Sequence, residues 1–120
     1  RSIVRFIMGC TDDIEILNLG LKLKKLCKQK NKKYVINYFE IVKWPPKESL
    51  PEHVDFDYHP YTSIIYLNDD FTGGETIVGN KTIVPKKCKL IAFEGNKIKH
   101  EVNKVTKGTR YTIPCWYKYG

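Results

Sequence analysis

No apolar run in the 120-residue chain approaches the ~18 residues that a membrane-crossing helix needs. No signal peptide, internal repeat or low-complexity segment is visible in it. No membrane-spanning helix is therefore expected within it, and one domain spanning 1–120 is the default. Cysteine is sparse and irregularly placed. Cys10, Cys27, Cys88 and Cys115 show no CxxC spacing and no dense framework. A zinc ribbon is therefore disfavoured, and reduced thiols in a cytosol-like, intracellular compartment are expected. An initiator Met is missing: the chain opens on Arg1, as expected where a leading segment has been removed or left out. Acidic residues are outnumbered, 13 against 21 lysines and arginines. The resulting formal charge of +8 favours anionic partners such as nucleic acid, acidic protein segments or a small dicarboxylate. For most single lysines, solubility is the sufficient explanation.

What is present is enough apolar and aromatic material for one core, punctuated by eight Gly and six Pro that favour many turns over long helices. Ser2 to Met8 is β-branched enough for a short strand. Thr11 then caps a helix start, with Asp12, Asp13 and Glu15 at the positive end of its dipole. Leu19, Leu23 and Leu26 keep helical spacing, and lysines close the segment. The basic run Lys22 to Lys33 reads as a solvated helix face before it reads as a nucleic-acid face. From Tyr34 the period becomes two. Tyr34 to Trp44 is expected as a strand, and Trp44 to Pro51 as a rigid proline loop. Thr62 to Asn68, Glu75 to Val78, Lys81 to Val84, Lys89 to Phe93, Ile98 to Val105 and Thr109 to Tyr117 follow as strands, with turn chemistry at Asp69 to Gly74. A helix followed by about eight short strands predicts a mainly β, jelly-roll architecture. Residues 1–33 would supply a supporting strand and helix, and 34–120 the barrel.

The chain is organised around His53-Val-Asp55. On a strand, residues two apart share a face, so an imidazole and a carboxylate enter one cavity. They make two-thirds of the two-histidine, one-carboxylate set that suits non-haem Fe(II). A lone His-x-Asp is a weak signal, because such pairs arise often by chance. His100, on a late strand, can complete the set. Ten residues on, Arg110 offers a permanently charged fork that grips a carboxylate with two hydrogen bonds, the natural anchor for a dicarboxylate. Period two puts Thr112, Pro114 and Trp116 on the face of Arg110, and Tyr111, Ile113 and Cys115 on the other. Thr62, Ile64 and Tyr66 likewise share a face, which brings the Tyr66 hydroxyl to the same ligand. Each residue has a plain alternative: His100 as surface polarity, Arg110 as an ion-pair partner, Tyr66 as core. His59 is read as a rim residue, Glu101 as exposed opposite His100, and Asp69 and Asp70 as turn residues.

His53-Val-Asp55, the run Tyr66 to Thr76, Pro85 to Phe93, His100 and Gly108-Thr-Arg-Tyr111 together resemble the prolyl 4-hydroxylase-like branch of the Fe(II)/2-oxoglutarate-dependent dioxygenases. The resemblance covers about Tyr34 to Tyr117, with its parts in order. It implies a double-stranded β-helix, with His53, Asp55 and His100 as iron ligands. It further implies Arg110 and Tyr66 on the far carboxylate of 2-oxoglutarate, Ile64 and Thr76 lining that pocket, and Trp116 near the metal. Implied as well are O2 as co-reactant, ascorbate as the reductant that restores Fe(II), and succinate and CO2 as products. The sequence departs from the branch at Cys88, where many members have Gly. Trp44 stands where relatives often have a cosubstrate-facing Tyr, Pro114 replaces a small or β-branched residue, and the link from Asp55 to Tyr66 is short.

The expected activity is hydroxylation of prolyl residues in a flexible protein or peptide segment, received by the Trp44 to Leu50 loop and the barrel mouth. The basic surface favours an acidic sequence context. One alternative is the same chemistry on lysyl side chains, a small molecule or a nucleic-acid base. A second is a non-enzymatic basic β-barrel that binds nucleic acid by charge and stacking. Against the second, most aromatics fall on strands expected to be internal. No membrane partner is expected.

Overall fold

Alternating, β-branched segments separated by Gly, Pro, Asn and Asp cannot form long helices, and they pair instead. A computed structural model of the protein describes residues 4–7 and 34–120. The predicted helix from Thr11, the basic run Lys22 to Lys33, Cys10 and Cys27 lie outside the described residues. Twelve strands are described: β1 Val4–Ile7, β2 Tyr34–Phe39, β3 Val42–Trp44, β4 Leu50–His53, β5 Tyr61–Tyr66, β6 Thr72–Gly73, β7 Thr76–Val78, β8 Lys81–Ile83, β9 Lys89–Phe93, β10 His100–Val102, β11 Val105–Lys107 and β12 Arg110–Tyr119.

The major sheet runs β1-β9-β5-β12-β2, with β3 also on β12. The minor sheet runs β4-β10-β7-β8, and β11 pairs with β6. Every pairing is antiparallel. One core lies where Ile64, Tyr66, Ile91 and Phe93 of the major sheet meet Val78 and Ile83 of the minor one. The other face of the major sheet buries Tyr61, Ile65, Leu90, Ala92, Ile113, Cys115 and Tyr117. This is the expected jelly-roll, and the alternation along β5 and β12 falls as period two requires.

Several boundaries move for local reasons. The expected strand Tyr34 to Trp44 splits into β2 and β3, and both halves pair with β12. The split faces Pro114. Its carbonyl accepts from Glu40 N–H at 3.3 Å, so its backbone edge turns toward β2 and β3. There it has no N–H to offer. On the other side Pro114 stays in register with Ile64 of β5. Pro51 is tolerated because β4 is an edge strand. Ile98 to Val105 also divides, into β10 and β11, and Thr72–Gly73 joins β11 as the short β6.

Cys88 adopts φ +65°, the left-handed conformation that favours glycine, and its side chain is fully buried. It is also disulfide-bonded. The expectation of reduced thiols therefore fails at Cys88, since such bonds persist where the surroundings oxidise. Cys115 is buried and in no disulfide. Aromatics divide as well: Tyr61, Tyr66, Phe93 and Tyr117 are internal, whereas Tyr38, Phe39, Phe56, Tyr58 and Tyr119 are exposed. Among the described residues no helix is long and apolar enough to cross a membrane.

Candidate active site

His53 ends β4 and His100 opens the neighbouring β10, and the two are direct cross-strand partners. Their rings lie 4.4 Å apart, centroid to centroid. Each Nδ1–H donates to a backbone carbonyl two residues back, His53 to Pro51 O and His100 to Ile98 O, both at 2.8 Å. A carbonyl can only accept, so the proton sits on Nδ1, and both Nε2 lone pairs point inward. They meet Asp55 Oδ1, at 3.5 Å from His53 and 3.3 Å from His100. Asp55 lies just beyond β4, where the strand's alternation has ended. Its position comes from its own N–H, donated to Gly95 O at 2.9 Å, and from Thr62 Oγ1, which donates to Oδ2 at 2.6 Å.

The three ligand atoms lie within 4.8 Å of one another. Adjacent ligands around an octahedral ion with bonds of about 2.1 Å stand about 3 Å apart. The set therefore fits a divalent ion bound through two neutral imidazoles and one carboxylate, on one face, with the opposite face open. Burial alone would push the Asp55 pKa up. With the site metal-free and His100 protonated at Nε2 as well, hydrogen bonds from His100 and Thr62, then the charges of His100 and His53, outweigh it and hold the carboxyl below its ordinary range. For His100 burial pulls down, but the bonds to Asp55 and Ile98 O win, and its pKa is raised.

A cavity of about 240 Å³ opens between the sheets, lined by the triad and by Ile64, Thr76, Arg110, Trp44 and Trp116 among others. That is small beside the ~300–1,000 Å³ of drug-sized sites, and it suits a short organic acid. Arg110 is 3% exposed. Its Nε donates to Gly74 O at 2.9 Å and its Nη2 to Thr76 Oγ1 at 3.1 Å. The guanidinium carbon sits 4.9 Å from the Trp44 ring centre and 5.4 Å from that of Tyr66. Burial draws its pKa down, and Tyr66 counteracts. Among the described residues no carboxylate pairs with it, so a buried cation with spare donors faces the cavity.

The sequence-predicted residues thus converge, with one difference. Tyr66, expected to hydrogen-bond the ligand itself, is 0% exposed and lies behind the wall, its hydroxyl bonded to Thr76 Oγ1. His59, expected at the rim, is 4% exposed, and its Nε2 accepts from Asn37 Nδ2 at 2.9 Å. Glu101 is half-buried rather than exposed. Asp69 and Asp70 behave as turn residues, accepting from Lys87 N–H and Asn68 Nδ2. The Trp44 to Leu50 loop is pinned through Lys47 N–H to Val105 O and Val105 N–H to Glu48 O. Sequence reasoning missed Thr62 and Gly95 as supports of Asp55. The shared face of Thr62, Ile64 and Tyr66 was the available signal for the first. For Gly95 there was none.

Residues 29–118 match the sequence profile described as the 2OG-Fe(II) oxygenase superfamily. Human "Prolyl 3-hydroxylase 2" is 36% identical over 78 residues, 58% of this chain and 11% of that protein. The Xenopus tropicalis "2-oxoglutarate and iron-dependent oxygenase domain-containing protein 3" is 37% identical over 78 residues, 58% of this chain and 24% of that protein. The chain therefore spans at most about a quarter of the length of these two relatives. Among solved structures, the viral collagen prolyl hydroxylase of Paramecium Bursaria Chlorella virus-1 superposes with TM-score 0.76 at 18% identity, covering 100% of this chain and 81% of that one. A Trichoplax adhaerens prolyl hydroxylase, in complex with a hypoxia inducible factor peptide fragment, gives TM-score 0.73 at 23% identity, covering 99% and 64%.

Proposed function

The chain belongs to the 2OG-Fe(II) oxygenase superfamily, and from that premise we propose that it hydroxylates prolyl residues of a flexible protein or peptide segment, using 2-oxoglutarate and O2. In this reading 1–120 acts as one domain, with 34–120 as the catalytic barrel. The observation that carries it is the pairing of two features in one small cavity. One is a His-Asp-His cluster with both Nε2 atoms turned inward. The other is a buried guanidinium with no carboxylate of its own among the described residues.

Each residue then has a task. His53, Asp55 and His100 hold Fe(II), with Pro51 O and Ile98 O fixing the tautomers and Thr62 fixing the carboxylate. Arg110 and Thr76 receive the far carboxylate of 2-oxoglutarate. Tyr66 positions both from behind, and Trp44 covers the guanidinium face. Ile64 lines the same pocket, and Trp116 borders the metal's open side. Bound Fe(II) supplies the oxidising chemistry: 2-oxoglutarate and O2 become succinate and CO2, and one oxygen atom enters a substrate C–H bond. The protein's share is orientation and water exclusion. Ascorbate serves as reductant for the iron.

The test is succinate formation from 2-oxoglutarate with added Fe(II), alongside mass spectrometry of Pro-containing peptides for a gain of one oxygen atom. Wild type is expected to give both, and His53→Ala neither. Metal-independent turnover, or equal activity in the variant, would sink the assignment.

A further inference from the structure

A second cavity, of about 230 Å³, adjoins the first and shares His53, Asp55 and Trp116 with it. Its walls are aromatic. On one side Tyr38 stacks on Trp116, with centroids 4.7 Å apart and planes 22° apart. On the other are Phe56 and His59, backed by Tyr58, which stacks on Phe56 at 5.3 Å and 9° and meets His59 edge-on at 4.4 Å. Phe56 is 67% exposed and Tyr58 61%, far more than large aromatics usually are without a partner.

The cleft is held open by hydrogen bonds of its own. Asn37 anchors His59, His59 N–H closes a turn on Phe56 O, and Asn96 Nδ2 reaches Asp57 O at 3.2 Å. The face is therefore built and directly continuous with the triad. Stacked rings bordering an open groove are the surface on which proline-rich, extended peptides dock.

Charge decides what kind of peptide. The chain carries +8, but residues 34–59, apart from the metal-facing Asp55, contain Glu40, Glu48, Glu52 and Asp57 against only Lys43 and Lys47: four negative against two positive. Glu40 lines the first cavity with Pro114 and Trp116, and Trp116 is shared with the cleft. Burial and then the Glu40 charge hold the Tyr38 hydroxyl above the ordinary tyrosine range, a sign of the negative field there. Lys118, on the same face of β12, lies two residues beyond Trp116, opposite Val35. Screening limits exposed charges to about 10 Å at 0.1 M salt, and Glu40, two residues from Tyr38 and acting on its hydroxyl, is within that reach.

We propose that this aromatic cleft, with Glu40 beside it in the adjoining cavity, binds the residues flanking the oxidised proline and selects a lysine or arginine there. The inference rests on the prolyl-hydroxylase reading and reverses the acidic context that net charge alone favours. A cationic side chain would pair with Glu40 and lie over the Tyr38 and Trp116 rings.

The experiment uses three labelled peptides, identical except for Lys, Ala or Glu beside a central Pro. Their binding to the Fe(II)- and 2-oxoglutarate-loaded protein is read by fluorescence anisotropy without oxygen. At about 0.1 M salt the Lys peptide is expected to bind about tenfold tighter than the Glu peptide, an exposed ion pair and one cation–π contact together. The gap should narrow at about 1 M salt. Glu40→Gln should reduce it, Glu40→Lys should invert it, and Phe56→Ala should weaken all three peptides alike. A Glu peptide that binds as well as the Lys peptide overturns the proposal. So does a preference untouched by Glu40→Lys, or no measurable binding by any peptide. Admitting air and weighing the products separates the two readings. Preference without hydroxylation keeps the cleft and sinks the proline assignment, while hydroxylation without preference does the reverse.

Discussion

A Cβ on Gly95 would fall inside contact distance of both Asp55 Oδ2 and Thr62 Oγ1, the two atoms whose hydrogen bond orients the metal-facing carboxylate. Its φ is not positive, so alanine is tolerated by the backbone there, and the clash falls on the Asp55 carboxylate and the Thr62 side chain. Gly95→Ala is expected to weaken Fe(II) binding by about 10- to 100-fold, the range for losing a group that orients a ligand, with circular dichroism unchanged. Unaltered affinity in a metal titration would refute this role. The ligands also set a pH dependence. Asp55 has a lowered pKa in the folded state, so its contribution to stability is present above the ordinary carboxylate range and is lost as pH falls through the lowered value. His100 has a raised pKa, so its contribution is full below about 6.5 and is lost as pH rises through the raised value. Metal-free protein should thus lose thermal stability as pH rises from about 6.5 through that raised value, a limb flattened in His100→Asn. Excess Fe(II), which needs neutral imidazoles, should turn that limb upward. Thermal scans in chelator and in metal check both signs, and a rising metal-free limb contradicts the first.

β12 is the element that organises the site. Arg110, Thr112, Pro114 and Trp116 follow one another on its cavity face, while Ile113, Cys115 and Tyr117 bury on the other. Pro114 interrupts its partner rather than itself. Pairing with β5 continues through residue 114, and the opposite side breaks into β2 and β3. The break leaves Ile41 69% exposed and puts Glu40 in the lining of the first cavity. Hydrogen exchange should register it: the Ile41 amide is expected to exchange orders of magnitude faster than those of Thr112 and Cys115, which lie in paired β12. Equal protection across 39–42 would mean the ladder is unbroken. Which residues share a face was legible along β5 and β12, because an extended strand sends alternate side chains to opposite faces whatever each face packs against. The break was not legible, because which edge of a strand a proline turns toward depends on register.

At the scale of the molecule, the two sheets enclose a metal end and a cationic end that no single strand contains. Ligands that bind only this folded arrangement stabilise it. At about 100-fold excess over its Kd, a ligand adds about 2.7 kcal/mol, which for a domain of this size raises Tm by roughly 10 °C. Fe(II) and 2-oxoglutarate together are expected to exceed either alone. Arg110→Met should erase the 2-oxoglutarate increment and leave that of the metal. An equal 2-oxoglutarate increment in the variant would place the diacid elsewhere.

The order and spacing of His53, Asp55, His100 and Arg110 were readable from the chain, because metal and carboxylate recognition demand particular side chains and a β pattern fixes which share a face. So were the jelly-roll and the inward β5 and β12 residues, since strand period alone sorts side chains between the two faces. Other features belong to tertiary structure alone. Asp55 is aimed by Thr62 and by the missing side chain of Gly95, Tyr66 is set behind Thr76, and Phe56, backed by Tyr58, forms one cleft with Tyr38 and Trp116, with an acid in the adjoining cavity. Each depends on which atoms from distant strands come within a few ångströms, and a linear pattern carries periodicity but not distance.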